Sequence, residues 1–490
     1  MRDCYTVRIN FKGGIASPAE LKTILETAQA FQVYKVRFGL RQQMIFSLSR
    51  NYAQAFQQKA KSSNLAFEID SNTKPNIVSS YVAEEVFQTG NWLTEGIYKN
   101  IFDGFDYEPQ IKINISDAQQ SFSPLFSGHL NFVTSATPNY WHLYLRVPKT
   151  NKVYAYPKLI FSTDVPDVSQ KLEQLILDSD SQESVEANYL FNKLSSKRAI
   201  AVESPFDLPA FSLPYYEGFN RYGDKTWLGI YQRNELFLVD FLLEICNLCQ
   251  QTKIGEVCLT PWKSIIIKGI EEEYRPNWSN LLFKYNINVR HAANELNWQV
   301  EDDSEAALKL KMELVKSFDK QDLRTFGICF GIKTRPRTEV YASIMVRRRR
   351  FKLLGFLPFN YVYDISYTED FNPNGRTKKY FYEGASRLIL AEQLRRCVVQ
   401  YNKLKAANLI QDAGMKDDHI EGNETTEIAS KTIHQCPHCL SVYDSDFGDQ
   451  QNDIPAGIAF ENLPETYTCP TCEASKSDFI VILMKPPLQS

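Results

Sequence analysis

Cys436-Pro437-His438-Cys439 and, after a gap of 29 residues, Cys469-Pro470-Thr471-Cys472 decide how the end of this 490-residue chain folds. Each Cys-Pro-x-Cys is a tight turn that points two sulfurs at one place and aims backbone N–H groups at them. Two such turns make a tetrahedral cage of thiolates, a donor set that suits iron or zinc. The candidate metal ligands are therefore Cys436, Cys439, Cys469 and Cys472, and the paired spacing carries the signal. Bare C-x2-C pairs favour a structural zinc ribbon.

The surrounding residues shift the choice of metal. Tyr443 follows the first turn, then Asp444-Ser445-Asp446-Phe447-Gly448-Asp449, Ile454-Pro455-Ala456-Gly457 and Phe460-Glu461-Asn462-Leu463-Pro464. Tyr467 precedes Cys469 by two, and Lys476 and Phe479 close the segment. From Gln435 to Ile482 this order resembles rubredoxin. The resemblance implies one iron held by four thiolates, moving one electron between ferric and ferrous states. A segment of about 50 residues needs a metal beside its small core. Tyr443, Phe460, Tyr467 and Phe479 are the expected core and the expected shield of the thiolates from water. Two positions depart from the family, which carries Gly after each C-x-x-C. Here they are Leu440 and Glu473. A left-handed backbone at either costs about 1 kcal/mol or more.

The chain is 43% hydrophobic and 23% charged, an ordinary composition for globular domains, and long enough for about three of them. No run of 18 apolar residues occurs, so no membrane insertion is expected. The N-terminus runs directly into an alternating strand without a signal-like apolar stretch, and the other six cysteines show no framework spacing. Both point to a reducing cytoplasm. The net charge of −3 is unevenly spread. Residues 435–490 carry −6, residues 412–434 carry −4, and the body before them +7. The body's excess is mild and no nucleic-acid motif accompanies it, so nucleic acid is not an expected partner. Residues 412–434 lack aromatics and periodicity and read as an acidic, flexible linker. The asymmetry predicts transient docking of the acidic domain on a basic surface, its own body's or a partner's. Arg347–Arg350 is the candidate patch; a solvated strand end is the bland alternative.

The body contains a repeat. Residues 5–46 and 226–267 align without a gap at an offset of 221. Both copies switch from period 2 to period 3.6 and back, predicting β-α-β-β. Apolar positions match in pairs: Val7/Leu228, Ile9/Ile230, Leu21/Leu242, Ile24/Ile245, Val36/Val257, Ile45/Ile266. A further helix is expected near Tyr52–Ser62 and near Trp278–Tyr285. Cys246-x-x-Cys249 falls on Leu25 and Ala28 of the first copy, so these thiols read as core rather than as a second metal site.

Val36-Arg37-Phe38-Gly39-Leu40-Arg41-Gln42-Gln43, Leu259-Thr260-Pro261-Trp262-Lys263, Asn76-Ile77-Val78-Ser79-Ser80 and Ile115–Phe122 together resemble the siroheme nitrite and sulfite reductases. The resemblance covers about residues 5–410 and implies two pseudo-symmetric halves, each a ferredoxin-like unit followed by a larger lobe. The family's Ile-Ser-Gly-Cys-x-x-x-Cys segment has Ala118 and Phe122 at its two cysteine positions here. The earlier cysteine pair belongs near Ser79–Gln88, yet no cysteine lies between Cys4 and Cys246. Without four thiolates neither a four-iron cluster nor its link to siroheme is expected. Arg37, Arg41 and Lys263 remain as candidate contacts to an anionic ligand, or as ordinary solvated charges.

The expected class is α+β: a first half over 1–220, a second over 221–411, the linker over 412–434 and a rubredoxin-like iron domain over 435–490. The expected function is one-electron carriage by that domain, tethered to a non-catalytic body in nitrite, nitrate or sulfite metabolism. Its partners would be a reductase donor and an acceptor oxidoreductase. The alternatives are an active siroheme-type reductase with its own carrier, and a zinc-stabilised scaffold.

Overall fold

The structure is a computed structural model. It describes residues 3–484 apart from 88–91, 148–151, 179–186, 195, 197, 337–338, 354–356, 376, 418–430, 438–441, 446–447, 450–451, 453, 456 and 471–473. Two compact units form, Met1–Lys405 and Ala406–Ser490.

In the first unit the duplication is visible residue by residue. Strand Cys4–Asn10, helix Pro18–Ala30, strand Lys35–Phe38 and strand Gln43–Ser49 recur as Lys225–Ile230, Val239–Gln251, Val257–Leu259 and Ile265–Ile270. The two helices match end for end at the offset of 221. Ser17 caps the first by accepting from the Glu20 N–H, with Pro18 opening the first turn. The second has no side-chain cap. The left-handed residues repeat as well: Gln32 (φ 61°) answers Lys253 (58°), and Gln42 (55°) answers Lys263 (58°).

The two copies also exchange strands. Ile15–Ala16 of the first pairs with Val257–Cys258 of the second, and Phe237–Leu238 of the second pairs with Lys35–Val36 of the first. The Ala16/Val257 pair maps onto Phe237/Val36 under the same offset. Five of the six apolar pairs lie in one core shared by both copies. The sixth, Ile45 and Ile266, is buried on the other face of its strands.

Each copy is followed by a lobe, and the lobes repeat a pairing order. Val78–Ser79, Ile113–Ser116 and Leu130–Thr134 run parallel, then Tyr140–Arg146 and Lys158–Phe161 run antiparallel. In the second lobe Trp298–Val300, Phe330–Lys333 and Ile344–Leu353 run parallel, then Leu357–Thr368 and Lys378–Ala385 antiparallel. The two-halved α+β architecture is as expected.

The linker expected over 412–434 differs at both ends. Helix Arg387–Asp417 runs past its start, and strand Lys431–Gln435 takes up its last residues. Residues 418–430 lie outside the described residues. In the second unit Lys431–Gln435 is the central strand between Val442–Tyr443 and Ile480–Met484.

Candidate metal centre

Cys436 directly follows strand Lys431–Gln435, and Cys469 opens the second Cys-Pro-x-Cys segment; both are fully buried. The Cys469 N–H donates to the Ala474 carbonyl (2.8 Å), and Thr468 bridges Ser475, so the second loop is closed across its base. Cys439, Cys472, His438, Leu440 and Glu473 lie outside the described residues. In the same unit Tyr443, Phe460 and Tyr467 are buried with Leu463, and Phe479 packs on them. Their ring centroids lie 5.1–6.1 Å apart, mostly edge to face. His434 stacks on Phe460 at 4.0 Å and 9°. The Lys476 ammonium donates to the Leu463 carbonyl (2.7 Å), tying the segment after the second turn to the core. Two buried thiols in a unit with its own aromatic core are chemically fitting donors for iron.

In the body, Arg37, Arg41 and Lys263 are all answered by carboxylates of the chain itself. Arg37 pairs with Asp303 at 3.0 Å. Arg41 is 2% exposed, and its guanidinium donates to Asn76 O (2.6 Å), Ile113 O (3.0 Å), Asn114 Oδ1 and Glu339 Oε2. Glu339 also takes Lys112. Burial works against the Glu339 carboxylate, but Arg41 and Lys112 outweigh it and hold it below the usual range. Lys263 donates to Glu235 at 2.7 Å and faces Asp302 at 3.4 Å. An outside anion would have to displace these carboxylates. Asp302, Asp303 and Glu339 were not singled out in the sequence, because no local pattern announces them: Asp303 and Glu339 lie 266 and 298 residues from Arg37 and Arg41, and Asp302 lies 39 residues from Lys263.

The segment Ile115–Phe122 runs from the end of strand Ile113–Ser116. Phe122 is fully buried, and its ring meets Phe87 (5.2 Å), Tyr216 (5.4 Å) and Trp262 (6.4 Å). Trp262 Nε1 donates to the Phe122 carbonyl at 2.7 Å. Ser79, near the place of the earlier cysteine pair, is bonded to Gly13, Gln42 and Ser123. Four-iron ligation does not fit these residues. At the positions the resemblance compares with thiolates, Phe122 is packed among rings and Ser79 is hydrogen-bonded.

Cys246 and Cys249 lie in the shared core as expected, and burial raises both thiols, Cys246 to about 12. Arg347–Arg350 falls in the long strand Ile344–Leu353. Arg349 pairs with Asp364 (2.8 Å) and Arg348 lies over the Tyr361 ring (4.3 Å), while Arg347 and Arg350 are exposed. Among the described residues no helix is long and apolar enough to cross a membrane.

A sequence profile of the rubredoxin family matches residues 433–479. Rubredoxin-2 of Chlorobaculum tepidum is 44% identical over 48 residues, 10% of this chain and 92% of that protein. Rubredoxin-2 of Desulfovibrio desulfuricans is 49% identical over 45 residues, 9% of this chain and 73% of that protein. Over 80% of both chains the fold matches the NirA protein of Mycobacterium tuberculosis, with a TM-score of 0.59 and 14% identity. Through residues 433–479 the chain belongs to the rubredoxin family, whose iron is bound by cysteines, and most of the chain shares the fold of NirA.

Proposed function

We propose that the chain is a rubredoxin-type one-electron carrier tethered to a non-catalytic body, serving nitrite, nitrate or sulfite metabolism. The observation that carries the reading is Phe122. It is sealed among aromatic rings where the reductase resemblance puts a cluster ligand, while Cys436 and Cys469 are buried at the other end of the chain. Cys436, Cys439, Cys469 and Cys472 would hold the metal. Iron bound there supplies a single-electron ferric/ferrous couple. Tyr443, Phe460, Tyr467 and Phe479 keep water from the sulfurs and hold the site in a low-dielectric surround.

In the body, Arg37 and Arg41 join the first half to carboxylates of the second, and Lys263 braces the second half internally. This reading gives them to architecture rather than to an outside ligand. The donor would be a reductase and the acceptor an oxidoreductase of the same metabolism.

The visible spectrum of the purified chain separates the readings. The carrier absorbs in the visible range when oxidised, bleaches on reduction, and loses the band in Cys469→Ala. An intense Soret band would instead support a siroheme reductase, and a colourless zinc-loaded chain would support a scaffold.

A further inference from the structure

The rubredoxin unit keeps a carboxylate in its interior. Asp449 is 9% exposed and, among the described residues, its carboxylate accepts three hydrogen bonds. The Tyr467 hydroxyl donates to Oδ2 at 2.8 Å, the Asn452 side chain to Oδ2 at 2.9 Å, and the Asn452 backbone N–H to Oδ1 at 3.3 Å. The same Asn452 amide donates to the Thr468 carbonyl at 3.1 Å, one residue before Cys469. The backbone is fixed too: Asp449 and Ile454 exchange N–H to carbonyl bonds at 2.9 and 2.8 Å. Gly448 holds φ at 67°, and a Cβ there would sit 2.4 Å from the Ile454 carbonyl oxygen. The carboxylate is therefore tied through one amide, and separately through Tyr467, to the loop that carries Cys469.

Three donors favour the ionised form of a carboxylate. A fixed negative charge in a low-dielectric interior opposes any further negative charge nearby. Reducing a tetrathiolate iron site adds one electron, so such a charge disfavours the ferrous state. We propose that Asp449 is a potential-setting residue, held by Tyr467 and Asn452, that keeps the reduction potential of the metal centre low. The Tyr467 hydroxyl partly screens the charge, so the two groups act on the potential in opposite directions. The inference rests on the carrier reading of this unit, and its test begins with iron-loaded full-length chain identified by its visible spectrum. Failure of the wild type to load iron would sink that reading and this inference with it.

Spectroelectrochemical titration at pH 8 then compares wild type, Asp449→Asn and Tyr467→Phe. At the wild-type midpoint, Asp449→Asn is expected to lower the ferric-to-ferrous ratio about threefold to tenfold. Tenfold corresponds to a rise of 59 mV for one electron. Tyr467→Phe keeps the charge but removes a donor, and is expected to raise the ratio. A purely structural pair would leave both ratios unchanged or move them the same way, and either result overturns the proposal. If Asp449→Asn fails to load iron, Tyr467→Phe alone decides, and an unchanged or lowered ratio overturns it.

Discussion

Arg41 separates two readings of the body, because a ligand-binding arginine and a bracing arginine respond differently to removal. Its guanidinium spends its donors on Asn76, Ile113, Asn114 and Glu339. Arg41→Ala leaves the Glu339 carboxylate short of a partner in a largely buried setting. Breaking one side of such a pair costs about 3–5 kcal/mol. The body's urea transition should fall by that amount, with the iron spectrum unchanged. A loss below about 1 kcal/mol would return Arg41 to the pool of ligand contacts. His129 gives a second handle. Burial, then the charges of Arg146, Lys112 and Arg41, push it down to about 3, and its Nδ1 accepts from the Lys112 backbone N–H. An unfolded histidine titrates near 6.5. Between those values the unfolded chain binds a proton that the folded chain refuses, so stability falls as pH drops from about 6.5 toward 3. The slope from this group is at most about 1.4 kcal/mol per pH unit. His129→Gln should flatten the acid limb of a stability–pH curve, and an unaltered limb would contradict the assignment. Arg41 was legible as a basic residue in a motif. Its role was not, since Glu339 comes from 298 residues downstream.

The helices Pro18–Ala30 and Val239–Gln251 were readable because an apolar stripe at period 3.6 needs no distant partner to be recognised. The reciprocal exchange of short strands was not. Two residues are too few for an alternation signal, and their partners lie in the other copy. The pairing order of the lobes was likewise hidden, because parallel neighbours are set by crossover topology rather than by side-chain period. Phe237 tests the exchange. It is 1% exposed, pairs with Val36 across the copies, and meets the Phe38 ring at 4.9 Å. Phe237→Ala should cost about 3–5 kcal/mol in the body's unfolding transition. A cost near that of a surface change would mean the two copies do not depend on each other there.

For the whole molecule, two features were written locally and two were not. The C-terminal carrier announced itself through cysteine spacing and ordered aromatics, and the duplication through its fixed offset. The carboxylates that neutralise the body's basic motif, and the true ends of the linker, depend on tertiary placement. The charge asymmetry, −6 at the carrier end against a positive body, predicts salt-dependent exchange with redox partners. Arg347 and Arg350 are the residues to reverse, since Arg349 serves Asp364 and Arg348 covers Tyr361. With both changed to Glu, stopped-flow oxidation of the reduced chain by its acceptor should slow several-fold at low salt. The difference should vanish as the Debye length falls from about 10 Å at 0.1 M to about 3 Å at 1 M. Equal rates at low ionic strength would leave the arginine run a solvated strand end.

The central claim is that this chain carries one electron at four cysteines and does no cluster chemistry in its body. Joint assay of iron and acid-labile sulfide in the purified full-length protein tests it most directly. One iron per chain with no labile sulfide is the predicted result. About five irons with four sulfides per chain, or stoichiometric zinc with no recoverable iron form, would contradict it.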